Sequence, residues 1–526
     1  MLDIDKKSKK CQNSLLVEDN MQTVIVLDFG GQYKELIARR IRECGVYSII
    51  MPGNTSIDAI KKIEPIGIIL TGGPNSVNAP NSPKAEKELF DLGIPVLGIC
   101  YGMQAMCYSL GGRVDSCRVS EFGDVAIEII KSSVLFEELK QNEVVLMSHS
   151  DFVSAVPDGF EITSRTSDCG CASIENKKKR LFAVQFHPEV ERTHSGKKIF
   201  KNFLYEVCNA KGDYKVSNFV KTEIKQLKEK YKNEKIVLGL SGGVDSSVCA
   251  ALLSKAIGKN LICIFVDHGF MRKNEGDEIQ AAFKNFDLKF IRVDAEQRFL
   301  SKLEGITDPE QKRKIIGAEF IRIFEEQAEQ FGDAKYLAQG TIYADIVESG
   351  TSNSAVIKSH HNVGGLPKNM RFIGLVEPLR NFFKDEVRKI GRMLKLPENI
   401  VTRQPFPGPG LAIRVIGELK KDKLDLLREV DSIFREEIQK NKIKSNQYFA
   451  VLTNLQSVGV MGDFRTYEHA VALRAVQTND FMTCEYTKVP HSVLSKISLR
   501  ITNEVKGINR VLFDITGKPP ATIEYE

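Results

Sequence analysis

The 526-residue sequence has no apolar run that reaches the roughly 18 residues of a membrane span, and it carries little excess charge. Its 74 basic and 68 acidic residues give a formal net charge of +6. This balance suits anionic small molecules without requiring nucleic acid, and no stripe of basic and aromatic residues indicates a duplex-binding surface. We therefore expect neither a membrane protein nor a nucleic-acid-binding protein.

The sequence also lacks the features of a secreted, disulfide-rich protein. Its 11 cysteines are scattered, and the close pair Cys169 and Cys171 has no second pair, so spacing indicates neither a disulfide framework nor a zinc site. Residues 1–10 are charged and no apolar segment follows them, unlike a signal peptide. We expect a reducing cytoplasmic location, and we predict that residues 1–21 form a disordered extension.

The most informative motif is Ser241-Gly-Gly-Val-Asp-Ser-Ser247. An apolar run precedes it and a helix-like run follows, and this strand–turn–helix order aims backbone amides and a helix N-terminus at an anion. The glycines let the backbone approach a phosphate closely, and Asp245 offers an oxygen ligand for magnesium. The lysine of the Gly-x-x-x-x-Gly-Lys-Ser/Thr pattern is missing, which argues against a γ-phosphate site. The plainer alternative is an ordinary βα turn.

This loop resembles the pyrophosphate-binding loop of the ATP pyrophosphatases. The resemblance implies that ATP is split into AMP and pyrophosphate while a substrate oxygen is adenylated.

A second motif, Gly98-Ile-Cys-Tyr-Gly102, lies between a predicted buried strand and a predicted helix over residues 103–110. Small residues beside Cys100 permit the sharp turn of a nucleophile elbow, and the helix N-terminus favours the reactive thiolate. Taken alone, a cysteine at a strand end is more often a small core residue.

A cysteine nucleophile needs a base, and Gln185-Phe-His-Pro-Glu189 offers one. In an extended strand the side chains of His187 and Glu189 share a face, so that Glu189 could orient His187. The turn Thr71-Gly-Gly-Pro74 follows another apolar strand, and its free backbone amides suit an oxyanion hole.

Together these segments resemble the class I glutamine amidotransferases over residues 23–208, in which a cysteine attacks the glutamine side-chain amide and releases ammonia. The residues that the resemblance assigns to this site are the triad Cys100, His187 and Glu189, the oxyanion amides of Gly73 and Tyr101, and the glutamine contact Gln104.

Segments 357–367, 403–414 and 507–524 closely resemble the glutamine-hydrolysing GMP synthetases, and the match runs in register from about Thr23 to the last residue. The resemblance implies adenylation of xanthosine monophosphate (XMP), after which ammonia displaces AMP to give GMP, AMP, diphosphate and glutamate. The ATP contacts that it implies are Ser241, Gly242, Gly243, Val244, Asp245, Ser246, Ser247, Val266 and Lys384, with magnesium on Asp245. The XMP contacts that it implies are Arg313, Lys518, Thr522 and Glu524.

Two of these assignments have plainer alternatives. A lysine on an amphipathic helix, such as Lys384, is ordinarily a solvated residue. A C-terminal tail is ordinarily frayed, whereas the Gly-Lys-Pro-Pro-Ala-Thr-Ile-Glu string favours a docked tail in which Lys518 neutralises the substrate phosphate.

Alternating apolar strands and helices predict two doubly wound α/β domains, followed by an α+β domain. The expected domains are a class I amidotransferase over 22–209, an ATP pyrophosphatase of the adenine-nucleotide α-hydrolase type over 210–400, and an XMP-binding and dimerisation domain over 401–526. The family resemblance implies a homodimer that forms through this last domain.

Three other functions stay open at this point. An NAD synthetase would have a different glutaminase fold and would lack segment 403–414. A tRNA-thiolating enzyme shares the Ser-Gly-Gly-Val-Asp-Ser loop but needs paired catalytic cysteines, whereas Cys249 and Cys263 lie in apolar runs. A nucleotide-sensing regulator with decayed sites would not be expected to keep Cys100 and Asp245.

Overall fold

The computed structural model describes residues 21–349, 372–478 and 483–526, and the chain divides between Phe219 and Val220 into two compact units. The predicted extension over residues 1–21 lies outside the described residues except for Met21, as does the whole of segment 357–367. No helix in the described ranges is long and apolar enough to cross a membrane.

The first unit is built on one mixed sheet. Its strands within the described residues are β1 (Thr23–Asp28), β2 (Tyr47–Pro52), β3 (Gly67–Leu70), β4 (Val96–Ile99), β5 (Arg113–Ile129), β6 (Asn142–Ala155), β7 (Glu161–Arg165), β8 (Ser173–Asn176) and β9 (Leu181–Val184). They lie in the order β2-β1-β3-β4-β9-β8-β7-β5-β6. In this order, neighbouring strands pair in parallel from β2 through β1, β3 and β4 to β9. From β9 through β8, β7 and β5 to β6 they pair antiparallel.

Helices cover the parallel half of this sheet, so its strands are buried. The helices are α1 (Lys34–Glu43), α2 (Ile57–Lys61), α3 (Tyr101–Ser109) and α4 (Gly196–Lys201), followed by a π-helical turn at Asn202–Val207. Because β3 and β4 are covered on both faces, their sequences are continuous apolar runs and every residue in them is buried. Antiparallel β6 instead mixes buried and exposed residues, since one of its faces is solvated.

The second unit begins with a parallel sheet. Its strands are β10 (Lys235–Gly239), β11 (Leu261–Asp267), β12 (Lys289–Asp294), β13 (Ala334–Ala338) and β14 (Gly374–Val376), in the order β12-β11-β10-β13-β14. The helices of this part are α5 (Val216–Tyr231, which contains the division), α6 (Val244–Ile257), α7 (Glu275–Phe283), α8 (Glu296–Leu303), α9 (Pro309–Glu329), α10 (Tyr343–Ser349), α11 (Lys384–Met393) and α12 (Glu398–Val401).

A second sheet follows in the same unit. Its strands are β15 (Gln447–Met461), β16 (Phe464–Gln477), β17 (Glu485–Tyr486) and β18 (Ile508–Asp514). The same part of the unit has the helices α13 (Lys421–Lys440) and α14 (His491–Glu504). Strand β16 pairs antiparallel with β15 and β17 and parallel with β18. The predicted fold class, two doubly wound α/β parts followed by an α+β part, is confirmed.

One hydrophobic core joins the two parts of the second unit. Phe270 and Phe324 of the parallel-sheet part belong to the same buried cluster as Leu411, Leu427 and Phe434. The predicted domain boundary near residue 400 therefore crosses a continuous core, and it stays a prediction.

Candidate active sites

Cys100 occupies a sharp turn between β4 and α3 in the first unit. Its backbone has φ 52° and ψ −109°, in the left-handed range that a non-glycine residue rarely adopts. The flanking glycines are needed for this turn: a Cβ on Gly98 would lie 2.8 Å from the carbonyl carbon of Gly102, and one on Gly102 would lie 2.4 Å from the Leu70 carbonyl oxygen. The local geometry is that of a nucleophile elbow.

The backbone at His187 and Glu189 is not the extended strand in which their side chains would share a face. Strand β9 ends at Val184, and residues 185–190 form bends and turns. The turn nevertheless brings the two side chains together, with His187 Nδ1 2.7 Å from Glu189 Oε1. Both residues are buried.

The surroundings of His187 favour its protonated form. Burial lowers the pKa of the imidazole, but the Glu189 carboxylate and a hydrogen bond with Cys100 outweigh burial and hold this pKa well above its ordinary value of 6.5. The ring of Tyr33 packs edge-on against the imidazole at 5.2 Å between ring centroids. The arrangement is a cysteine, a histidine that can hold its proton, and a buried carboxylate that orients the histidine.

Two glutamines connect the nucleophile to strand β6. The side-chain amide of Gln185 donates to Cys100 Sγ at 3.7 Å, and its Oε1 accepts from Gln104 Nε2 at 3.2 Å. Gln104 Nε2 also donates to the Asp151 carbonyl oxygen at 2.8 Å. We did not predict a role for Gln185 from the sequence, although its place two residues before His187 is a signal that could have drawn attention to it.

The predicted oxyanion residues lie beside this cysteine. A Cβ on Gly73 would come within 2.8 Å of Tyr101 Cγ, and one on Gly72 would come within 3.3 Å of His187 Cε1 and 3.9 Å of Cys100 Cβ. Tyr101 is the first residue of α3, so its amide has no acceptor within the helix. The turn at residues 71–74 thus lies against Tyr101, His187 and Cys100.

In the second unit, the Ser-Gly-Gly-Val-Asp-Ser-Ser heptad forms the turn between β10 and α6. Gly242 has φ +77°, and a Cβ there would lie 2.2 Å from Ile279 Cδ1, so the position requires glycine. Ser241 Oγ lies 3.0 Å from Ser246 Oγ and accepts from the Gly243 amide at 3.3 Å. Serine hydroxyls therefore close the heptad loop at the N-terminus of α6.

Lys384 lies at this loop. It is the first residue of α11, and its ammonium group contacts both carboxylate oxygens of Asp245 at 2.5 and 2.7 Å. Val266 lies at the C-terminal end of β11, the strand beside β10, and its side chain packs in the core. Parallel strands present their C-terminal ends at one edge, so these residues share the edge where such folds bind nucleotides.

The cysteines that a thiolating enzyme would need are core residues. Cys249 and Cys263 have no exposed surface, and burial raises the pKa of both thiols.

The C-terminal tail is docked on the second unit. Lys518 and Cys484 exchange two backbone hydrogen bonds of 2.9 and 3.0 Å. Arg474, which has no exposed surface, donates to the carbonyl oxygens of Thr522 and Ile523 at 2.8 Å each. The tail is thus fixed by a buried cation as well as by strand-like pairing.

The predicted XMP residues have partners of their own in this structure. The Glu524 carboxylate accepts from Arg414 at 2.8 and 3.0 Å and from Gln447 at 2.8 Å. Arg313 on α9 donates to the backbone carbonyl oxygen of Glu526. We did not predict Arg414 or Gln447, because their contacts with Glu524 join residues that are far apart in sequence.

Three family models match the chain: "Glutamine amidotransferase class-I" over residues 25–207, "NAD synthase" over 215–457 and "GMP synthase C terminal domain" over 436–525. Among curated relatives, a GMP synthase (glutamine-hydrolyzing) of Finegoldia magna is 57% identical over 507 residues, covering 96% of this chain and 99% of its own. Its counterpart in Clostridium botulinum strain Langeland is 58% identical over 510 residues, covering 96% and 100%. The Treponema denticola counterpart is 55% identical over 522 residues, covering 99% and 100%.

Proposed function

This chain belongs to the glutamine-hydrolysing GMP synthases, and from that membership we propose which of its residues carry each part of the reaction. The enzyme is a ligase that forms a C–N bond with glutamine as the amide donor, and it makes GMP from XMP and ATP. The match to the NAD synthase model covers the ATP pyrophosphatase part, so it does not make the chain an NAD synthetase.

Ammonia release is assigned to the first unit. The thiol proton of Cys100 passes to His187, and the sulfur attacks the side-chain carbonyl carbon of glutamine. Because Nδ1 of His187 is held by Glu189 at 2.7 Å, Nε2 is the nitrogen that exchanges protons with the sulfur and with the leaving amide. The C–N bond breaks, ammonia leaves, and water then cleaves the thioester to give glutamate. The short contact between His187 and Glu189 is the observation that carries this assignment.

The oxygen of the tetrahedral intermediate is assigned to the backbone amides of Gly73 and Tyr101. The Tyr101 amide belongs to the elbow and the Gly73 amide to the turn at residues 71–74. Both are part of the folded backbone before substrate arrives, so they can stabilise the developing charge without reorganising. Gln104 is assigned to the substrate glutamine. Its amide Nε2 already donates to the Asp151 carbonyl oxygen, and this bond fixes the orientation of its side chain.

Adenylation of XMP is assigned to the loop Ser241–Ser247, with Val266 at the adenine and Lys384 at the phosphates. The loop amides and serine hydroxyls bind pyrophosphate at the helix N-terminus. Lys384 lies 2.5 Å from Asp245, so it is already held where it can neutralise a phosphate oxygen.

The donor set of this loop fits magnesium. The Asp245 carboxylate and the adjacent serine hydroxyls are oxygen ligands, which hard divalent cations prefer. When bound, magnesium would neutralise charge on the phosphates of ATP. Asp245 would then share its carboxylate between the cation and Lys384, which its partly exposed side chain permits.

XMP is assigned to Arg313, Lys518, Thr522 and Glu524. The cations Arg313 and Lys518 suit the substrate phosphate, and Thr522 is exposed on the docked tail. Glu524 is fixed by Arg414 and Gln447, so the tail presents these groups at fixed positions.

We assign a homodimer to residues 401–526. Large apolar side chains are exposed along β15 and β16, including Val458, Val460, Phe464 and Tyr467, of which Phe464 is 78% exposed. A patch of this kind is typical of a protein–protein interface.

We also assign the chain to the reducing cytoplasm, because the ten cysteines of the described residues are all free. We keep 22–209, 210–400 and 401–526 as the proposed bounds of the amidotransferase, the ATP pyrophosphatase and the XMP-binding and dimerisation domain.

Isotope transfer tests the assigned chemistry. The purified chain is incubated with XMP, ATP, magnesium and glutamine that carries ¹⁵N in its side-chain amide, and the products are analysed by mass spectrometry. We expect the label in GMP, with AMP and diphosphate formed in equal amounts. GMP without label, or ADP in place of AMP, would contradict the assignment.

A further inference from the structure

A group of three potential metal ligands lies in the first unit, apart from the catalytic triad. Glu121 on β5 and His149 on β6 are direct partners across the two strands, and Cys169 lies in the loop between β7 and β8. One ligand atom from each residue lies within 4.8 Å of the other two, and all three residues are less than 10% exposed. Cysteine spacing could not reveal this group, because its members come from three separate segments.

The hydrogen bonds of His149 leave two acceptor atoms facing each other. Its Nδ1 lies 3.0 Å from the Asp151 carbonyl oxygen and 3.8 Å from Cys117 Sγ. The carbonyl oxygen of the shorter contact can only accept, so this contact requires Nδ1 to carry a proton and donate it. In the neutral ring, Nε2 then carries a lone pair. This nitrogen lies 3.0 Å from Glu121 Oε2, which is also an acceptor when ionised. The pair therefore requires a positive charge, either a proton or a metal cation.

The surroundings of the group favour the metal cation. A ligating histidine commonly donates its other ring N–H to a carbonyl oxygen, as His149 does, and a ligating carboxylate is commonly held by a hydrogen bond. The Thr166 hydroxyl donates to Glu121 Oε1 at 2.6 Å and accepts from the Cys169 amide at 2.8 Å. One hydroxyl thus fixes two members of the group.

We propose that Glu121, His149 and Cys169 bind a divalent transition-metal ion of the Zn²⁺ class. The ligands would be a carboxylate oxygen of Glu121, Nε2 of His149 and the Cys169 thiolate, with the fourth tetrahedral position left to water. Nitrogen and sulfur ligands exclude Mg²⁺ and Ca²⁺, which take oxygen ligands. On binding, the Cys169 thiol loses its proton to solvent.

The site adjoins the nucleophile. The carbonyl oxygen of Ser148, the residue before His149, lies 3.7 Å from Cys100 Sγ, and the Asp151 carbonyl oxygen accepts from Gln104. A bound ion would fix this part of β6. We expect the ion to change the rate of glutamine-dependent synthesis and to leave ammonia-dependent synthesis unchanged. This expectation rests on the proposed function.

Cobalt titration tests the site without relying on activity. Co²⁺ is added to the full chain carrying Cys100→Ala, so that the triad thiol cannot contribute, and thiolate-to-cobalt absorption is recorded. We expect one equivalent of Co²⁺ to bind, and Zn²⁺ to displace it. The same absorption should disappear when Cys169→Ala or His149→Ala is added. Cys171→Ala is the matched control, because this neighbouring buried thiol lies outside the group, and it should retain the absorption.

A ligand variant can fail to fold, so a milder change is also needed. Thr166→Val keeps the side-chain shape and removes only the supporting hydroxyl, and we expect cobalt affinity to fall about 10- to 100-fold. Saturable cobalt absorption that persists in folded Cys169→Ala would overturn the proposal. Absence of any saturable binding to the folded parent chain would overturn it as well, and would leave the proton as the cation between His149 and Glu121.

Discussion

Replacing Lys518 with alanine tests whether the C-terminal tail binds the phosphate of XMP. The change removes one ammonium group but keeps the two backbone hydrogen bonds between Lys518 and Cys484. Arg414 and Arg474 still hold residues 522–524. The variant therefore removes the proposed substrate contact without undocking the tail.

The expected effect follows from the strength of the lost contact. A charge-assisted hydrogen bond contributes about 1.5–3 kcal/mol, which corresponds to roughly 10- to 150-fold in binding. We expect KM for XMP to rise by this factor in Lys518→Ala. KM for ATP and the thermal unfolding midpoint should change little, because neither the ATP loop nor the core contacts of the tail are altered.

The assay uses initial rates at saturating ATP with ammonia as the nitrogen source, while XMP is varied. Ammonia removes the glutaminase step from the measurement. Lys506→Ala is the matched control, since Lys506 is an exposed lysine outside the tail, and its XMP dependence should equal that of the parent. An unchanged KM for XMP in folded Lys518→Ala would refute the phosphate contact.

Deleting residues 517–526 would be a weaker test of the same contact. Arg414 and Arg474 have no exposed surface, and the deletion would take Glu524 from the first and two carbonyl acceptors from the second. Leaving a buried charge without its partner costs about 3–5 kcal/mol. A loss of XMP binding could then reflect unfolding.

Three further outcomes follow from the geometry. Asp245→Asn should lower AMP formation by about 10²-fold or more with glutamine and with ammonia alike, because it removes a charge from the proposed ATP loop. Retained AMP release would contradict the proposed role of Asp245 in adenylation. Gly102→Ala would set a Cβ 2.4 Å from the Leu70 carbonyl oxygen, so glutamine-dependent synthesis should fall about 10²-fold through displacement of the elbow, and ammonia-dependent synthesis should not. Burial lowers the pKa of His268 from 6.5 to about 4, so the unfolded chain binds a proton that the folded chain does not. Stability should therefore fall by about 2 kcal/mol from pH 7 to pH 5 through this group, and urea unfolding of His268→Asn should lack that part of the pH dependence.

The elements that were predictable from the sequence are those fixed by local residues. The glycines around Cys100 and Gly242 of the Ser241–Ser247 heptad make strand-to-helix turns, because a side chain would clash or strain the backbone where they lie. Buried parallel strands such as β3 are continuous apolar runs, so the doubly wound architecture was also predictable.

The remaining features depend on residues that are distant in the chain. The turn that joins His187 to Glu189 lies beyond the end of β9 at Val184, and alternation along the sequence does not show where that strand ends. The Glu524 contact with Arg414 spans 110 residues, and periodicity carries no information about such a pair. The same holds for the group formed by Glu121, His149 and Cys169.

Measuring GMP formation by Cys100→Ala with each nitrogen source tests the central claim most directly. That claim is that the triad releases ammonia and that a separate ATP-dependent site consumes it. The parent and the variant are compared for GMP formation from XMP and ATP, first with glutamine and then with ammonium chloride. We expect the variant to lose glutamine-dependent synthesis and to retain the parent's rate with ammonia, because the proposed role of Cys100 is confined to ammonia release. An equal loss with both nitrogen sources would contradict the account.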